Sequence, residues 1–225
     1  LYVVGRFDAR AVRRAIQESF GGWKRGPGPA VLPVSTDTRR SVFLVDRPGS
    51  QQSTILIGLP VIDRSHPDSL TFEAVNFLLG GGGFLSRITN NIRENKGYTY
   101  SPYSAWSSRY RSATWFQFAS VGNAVTVPAI KEILYEIGRL REEPVPEKEL
   151  KDIQNFMSGT FVLTNSSRQG ILDILSTQDL HGLGPDFLTS YVRKVHALTP
   201  KDIQSVAREC LDPDRMIIVV VGDKK

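Results

Sequence analysis

The chain has 225 residues, 40% hydrophobic and 23% charged. That is the composition of a globular protein able to bury a sizeable core, and it excludes a disordered or fibrous polypeptide. No run of about 18 apolar residues exists, so a membrane-spanning helix is excluded. The single cysteine excludes an internal disulfide and any cysteine-built metal site. The net charge of +5 is scattered, with no basic stripe interleaved with aromatics, so nucleic acid is not an expected partner.

Residues 1–5 (LYVVG) read as a buried strand. An amphipathic helix follows, with Asp8 as N-cap and Ala11, Val12, Ala15, Ile16 and Phe20 as its stripe, stopped by Gly21 and Gly22. The Gly- and Pro-rich stretch after it reads as a linker, with its core at residues 26–34. Strands are expected over 42–46 and 54–60. A helix is then entered through Ser65 and Pro67, with Leu70, Ala74, Phe77 and Leu78 on one face, and Gly80–Gly83 break it. A second helix over about 85–95 ends at Gly97, the residue best suited to a left-handed C-terminal cap.

Two strands are expected over about 98–107 and 113–121. Pro102 inside the first points to an edge position or a bulge. Thr126 is read as the cap of a helix whose stripe is Ile130, Ile133, Leu134, Ile137 and Leu140, ended by Pro144 and Pro146. Residues 147–181 are helical with a kink at 164–167, and helices over 186–195 and 199–211 follow. Thr199, Pro200 and Asp202 make a capping arrangement for the last. Cys210 is expected to be a buried thiol on it. Residues 216–221 are the closing strand.

The opening LYVVGRFD and the closing MIIVVVGD share one form: an apolar run, a glycine, then polar residues. On that echo the chain reads as a piece of a longer polypeptide: the tail of one unit (1–25), a linker (26–34) and a second unit (35–225). Strand pairs alternating with helix pairs imply an α+β fold, with an antiparallel-dominated sheet covered on one side by helices.

A zinc site needs three ligands, two of them commonly four apart on one helix. The three histidines, His66, His181 and His196, are far apart, and neither H-E-x-x-H nor H-x-x-E-H occurs. Each histidine has a structural reading; His181 and His196 sit where a helix dipole favours a cation. No nucleophile elbow or phosphate loop is present. Gly80, Gly81, Gly82 and Gly83 serve equally as a flexible break or as a loop that lets another backbone approach.

The most informative segment is LLGGGGFLSRITNNIRENKGYTYSPYS, residues 78–104. Arg93 falls near a helix end, Gly97 turns the chain, and Tyr100 follows. Both side chains can then point to one side of the turn, as a donor pair for a peptide carbonyl or its oxyanion. On spacing alone, an Arg complementing a helix C-terminus and a Tyr ordinary in a strand are the better readings.

This segment resembles the signature of the second domain of insulinase/pitrilysin-type zinc peptidases, carried by LLGGGG, FLSRI, NNIRENKG and YTYS. PVPEKELKDIQ and ALTPKDIQSVAREC are similar to that family's middle and last helices. Pro102 departs from the pattern, standing where members more often have an apolar strand residue.

The resemblance implies the non-catalytic, substrate-binding half of a zinc metallopeptidase. Its partner would be a zinc-binding homologous domain or subunit, and the zinc would be held there, with no cofactor in this chain. Arg93 and Tyr100 would contact an extended peptide substrate and its transition state. Gly80, Gly81, Gly82 and Gly83 would line the substrate's path. A structural subunit of the same fold without peptidase activity is the alternative. A bacterial periplasmic or cytoplasmic setting is implied by the family alone.

Overall fold

The computed structural model describes residues 1–28 and 38–224. Most of the expected linker lies outside the described residues. Among the described residues, five strands form one sheet: β1 (Ser41–Asp46), β2 (Gln52–Val61), β3 (Tyr103–Arg109), β4 (Ser112–Gly122) and β5 (Ile217–Gly222), in the spatial order β1-β5-β2-β4-β3. Only β1 and β5 run parallel; the other neighbours are antiparallel.

The alternation of side chains along each strand decides which face is covered. Ile55, Ile57 and Leu59 of β2, Trp115 and Ala119 of β4, and Ile218 of β5 are buried on one face. Helices pack there: α2 (Ser69–Asn76), α3 (Thr126–Glu142), α4 (Glu147–Asn165), α6 (Phe187–Ala197) and α7 (Pro200–Cys210) all add residues to the same core, Phe72, Ile133, Ile153, Val195 and Ala207 among them. Burying a Phe, Ile or Val side chain contributes about 1.5–3 kcal/mol. The opposite face stays open, and Leu56, Pro60, Phe116, Ile217 and Val219 line a shallow apolar depression on it. The mixed α+β architecture, with one helix-covered sheet, is the one the sequence implies.

Local chemistry sets the helix ends. Thr199 and Asp202 form a reciprocal capping box on α7, with Pro200 at its first position. The expected kink at 164–167 is a complete break, and α5 (Arg168–His181) begins with the Ser167 hydroxyl accepting from the Gly170 N–H. Thr126 is the first residue of α3 rather than its cap; Val125 precedes it. Cys210 is buried, and burial pushes its thiol pKa up to about 11.

Two expectations fail. Residues 1–5 form no strand. A strand needs a neighbouring edge to satisfy its N–H and C=O groups, and none of the described strands pairs with this segment. The helix after it, α1 (Ala9–Phe20), is capped by Asp8 as expected, yet none of its residues is buried. The strand expected from residue 98 begins only at Tyr103. Pro102 has no N–H to give to a ladder, so pairing starts directly after it. Tyr100 therefore stands in irregular chain ahead of edge strand β3.

Candidate functional site

The glycines do not simply end α2. The helix widens into a π turn over Phe77–Gly81 and tightens into a 3₁₀ turn over Gly83–Leu85. It resumes at residue 87 and is π-helical over Thr89–Asn95. π turns are rare, and they concentrate at functional positions. Gly83, with φ +57°, sits at the tip where the chain reverses. Gly97, with φ +64°, ends the second helix; its N–H bonds to the Arg93 carbonyl at 3.0 Å, and the Tyr98 N–H bonds to the Ile92 carbonyl at 2.8 Å.

The four glycines differ in what they face. Gly80 and Gly82 are buried, Gly81 is partly buried, and Gly83 is exposed. A Cβ on Gly80 would stand 2.7 Å from the Ser104 nitrogen and from the Gln117 Oε1. On Gly82 it would stand 2.6 Å from the Phe77 carbonyl oxygen. The surface this stretch offers is therefore that of Gly83 and the tip beyond it, Phe84 and Leu85.

Arg93 and Tyr100 lie together. The guanidinium carbon is 4.6 Å from the centroid of the Tyr100 ring, within cation–π range. It is also 4.4 Å from the Phe84 ring. The Glu94 carboxylate reaches the Arg93 Nε at 3.2 Å. Tyr100 is 79% exposed, while the Arg93 side chain is 25% exposed. The terminal guanidinium nitrogens have no hydrogen-bond partner among the described residues. The pair thus presents a phenol and the outer edge of a guanidinium to open space. A shallow groove of about 320 Å³ beside it is lined by Phe84, Leu85, Asn90, Pro146 and Asp152, among others.

Sequence reasoning passed over the residues that hold this platform. Arg87, nearly buried, donates from Nε and Nη2 to the Glu149 carboxylate at 2.6 and 2.9 Å, tying the second helix to α4. Asn91 donates to Glu132 at 3.0 Å and to Glu136 at 2.7 Å, tying it to α3. Lys96 meets Glu132 at 2.9 Å. That ammonium holds the Glu132 carboxyl below its usual pKa, and Glu132 in turn raises Lys96. Beneath the glycines, the Asn76 Oδ1 accepts from Ser104 at 2.8 Å and from the Trp115 Nε1 at 3.0 Å. The visible signal was SRI, an arginine just inside a helix, with a glutamate at the start of the helix after PVP; only the fold shows that the two meet.

The histidines lie elsewhere. His66 accepts the Asp68 N–H at 3.1 Å, and His196 stands 3.2 Å from the Ser158 hydroxyl. His181 is buried at the end of α5. A helix C-terminus alone would raise its pKa, yet burial dominates and lowers it. Among the described residues, no group of three or more His, Cys, Asp and Glu is placed to hold a metal ion. A zinc ion therefore does not fit the side chains described.

Residues 1–157 match the family model described as the peptidase M16 inactive domain. Over 230 residues the chain is 22% identical to an uncharacterized zinc protease of Streptomyces coelicolor, covering 98% of this chain and 50% of that protein. A non-peptidase homolog of Helicobacter pylori is 23% identical over 179 residues, which cover 78% of this chain and 41% of the relative. Among solved structures, the peptidase M16 inactive domain from Pseudomonas fluorescens superposes with a TM-score of 0.87 at 23% identity, covering 96% of this chain and 52% of that one. The chain thus spans about half the length of the relatives it matches.

Proposed function

The chain belongs to the peptidase M16 inactive-domain family, and on that premise we propose that it is the substrate-contacting half of a zinc endopeptidase whose metal is held by another domain or subunit. The observation that carries this reading is the Arg93–Tyr100 pair, held at 4.6 Å with Tyr100 open to solvent. The Tyr100 hydroxyl donates to the carbonyl oxygen of the scissile peptide, or to the oxyanion that replaces it. The outer guanidinium edge of Arg93 donates to a backbone carbonyl nearby. Donors fixed before the substrate arrives stabilise developing charge at little reorganisation cost. Gly83 and the tip beyond it border the path of an extended peptide; Gly80, Gly81 and Gly82 shape that tip from beneath.

The same reading divides the chain into the tail of a preceding homologous unit (1–25), a linker (26–34) and this domain (35–225). The likeness of LYVVGRFD to the β5 sequence, together with the lack of any buried residue in α1, supports that division.

The test uses the full-length protein with a quenched-fluorescent peptide. Arg93→Ala and Tyr100→Phe are each expected to lower kcat/KM by about 10²-fold, the usual cost of removing one oxyanion donor, with bound zinc unchanged. This chain alone is expected to cleave nothing. Unaltered turnover in both variants would end the proposal. A structural subunit without peptidase activity is the second reading, favoured by the non-peptidase homolog among the relatives; a full-length protein that neither binds zinc nor cleaves peptide establishes it.

A further inference from the structure

Phe84 is 62% exposed, so packing in the core does not account for its ring. Among the described residues its ring touches no other aromatic ring, and the group over its face is the Arg93 guanidinium, at 4.4 Å. Tyr100 holds the same guanidinium at 4.6 Å. The two rings do not contact each other; the cation joins them.

The backbone that presents Phe84 is pinned from several sides. Gly83 turns the chain with φ +57°. The Ser86 hydroxyl donates to the Gly83 carbonyl at 2.6 Å. The Asn90 amide donates to the carbonyls of Phe84 and of Ser86, both at 3.0 Å. The ring is therefore carried on a fixed tip rather than on a loose loop. A pinned aromatic beside a guanidinium restricts the rotamers of the long arginine side chain, which is otherwise rich in rotational freedom.

We infer that Phe84 is a positioning residue for Arg93. With Tyr100 it forms an aromatic clamp that covers the cation, while Glu94 occupies the Nε side at 3.2 Å. What remains free is the outer edge bearing the two terminal nitrogens. That edge can meet a carboxylate with two parallel hydrogen bonds, or a single peptide carbonyl oxygen with two converging ones. The clamp also couples the glycine tip to Tyr100, so that displacing the tip would misalign both donors. This inference rests on the proposed role of Arg93 and adds the residue that aims it.

The experiment compares Phe84→Leu, Phe84→Tyr, Arg93→Ala and the Phe84→Leu/Arg93→Ala double variant in the full-length protein, with circular dichroism to verify folding. Phe84→Leu is expected to lower kcat/KM about tenfold, a loss in keeping with a misplaced rather than a missing catalytic contact. Phe84→Tyr, which keeps the π face, is expected to restore it. The double variant is expected to be no worse than Arg93→Ala, because Phe84 acts through the arginine. Independently, the Arg93 side-chain Nε–H resonance is expected to be ring-current shifted and to move back in Phe84→Leu. A Phe84→Leu variant as active as wild type, or losses that add in full in the double variant, would overturn the positioning role. If Arg93→Ala itself leaves turnover unchanged, the proposed function fails instead; the resonance then decides the clamp alone, and its indifference to Phe84→Leu overturns it.

Discussion

Replacing Gly80 with alanine adds one methyl group at the most crowded point beneath the tip. The new Cβ would stand 2.7 Å from the Gln117 Oε1, 2.7 Å from the Ser104 nitrogen and 2.9 Å from the Ser104 Oγ. Ordinary contacts begin near about 3.5 Å, so the shortfall is roughly 0.8 Å. The Ser104 nitrogen belongs to β3 and has no rotamer by which to retreat. Moving β3 instead strains the hydrogen bonds of Ser104 to Asn76 and, through Asn76, that of Trp115. Overpacking a core costs about 1–3 kcal/mol, and a broken buried hydrogen bond adds about 1–3 kcal/mol. The expected loss is therefore about 3 kcal/mol, or about 6–12 °C in Tm for a chain of this size. Gly83→Ala is the control: no atom lies within 4 Å of its Cβ position, and only the φ of +57° opposes it, at about 1–2 kcal/mol. Urea unfolding followed by tryptophan fluorescence measures both. A Gly80→Ala protein within about 0.5 kcal/mol of wild type, the range of an ordinary surface substitution, or one more stable than Gly83→Ala, would refute the reasoning.

Two other perturbations follow from the same framework. Arg87→Met leaves the Glu149 carboxylate without its paired guanidinium. Breaking a buried pair costs about 3–5 kcal/mol, and since the Glu149 side chain retains 25% of its exposure, the lower end is expected in urea unfolding; adding Glu149→Leu should recover most of it, and a loss below about 1 kcal/mol would make the pair a surface contact in energetic terms. His181 should make stability depend on pH. Burial lowers its pKa below the ordinary 6.5, with Arg64 acting in the same direction and Asp63 against it. The unfolded chain thus takes up a proton before the native one does. Stability is complete above about pH 6.5 and falls as pH drops from there through the lowered native value. Thermal melts at roughly pH 7.5 and pH 5.5 should differ less in His181→Gln than in wild type, and an identical difference in both would contradict the burial argument.

Much of this architecture was legible because local signals agreed with it. Thr199, Pro200 and Asp202 announced α7, Gly97 announced the end of the helix bearing Arg93, and strand-forming composition located β2 and β4 to within two residues. Arg93 and Tyr100 were singled out by their spacing around that glycine together with the family resemblance, and the structure places the two side by side. Hidden were features set by partners distant in sequence or by unusual turns. Nothing local marks that Gly80 must clear the Ser104 backbone or that Arg87 reaches Glu149, since both contacts exist only after the strands and helices have packed, and Phe84 meets Arg93 through the 3₁₀ and π turns of the tip. Pro102 marked an edge strand, as β3 is, but it stands just ahead of that strand instead of within it. Residues 1–5 have the composition of a strand, but a strand is defined by its neighbour, which composition does not supply.

The parallel pairing of β1 with β5 joins the first and last strands of the sheet in sequence, Ser41 beside Ile217. Among the described residues β1 has no other neighbour in the sheet, and β5 lies between it and β2. On a ribosome, β2, β3 and β4 can assemble as a local antiparallel unit while β1 waits unpaired for a strand that begins only at Ile217. The slowest step expected of such a topology is this late insertion, because distant loop closure must precede its reward. Until then the apolar run Val42, Phe43, Leu44 and Val45 has no hydrogen-bonding companion, and it is the stretch a holding chaperone would find first.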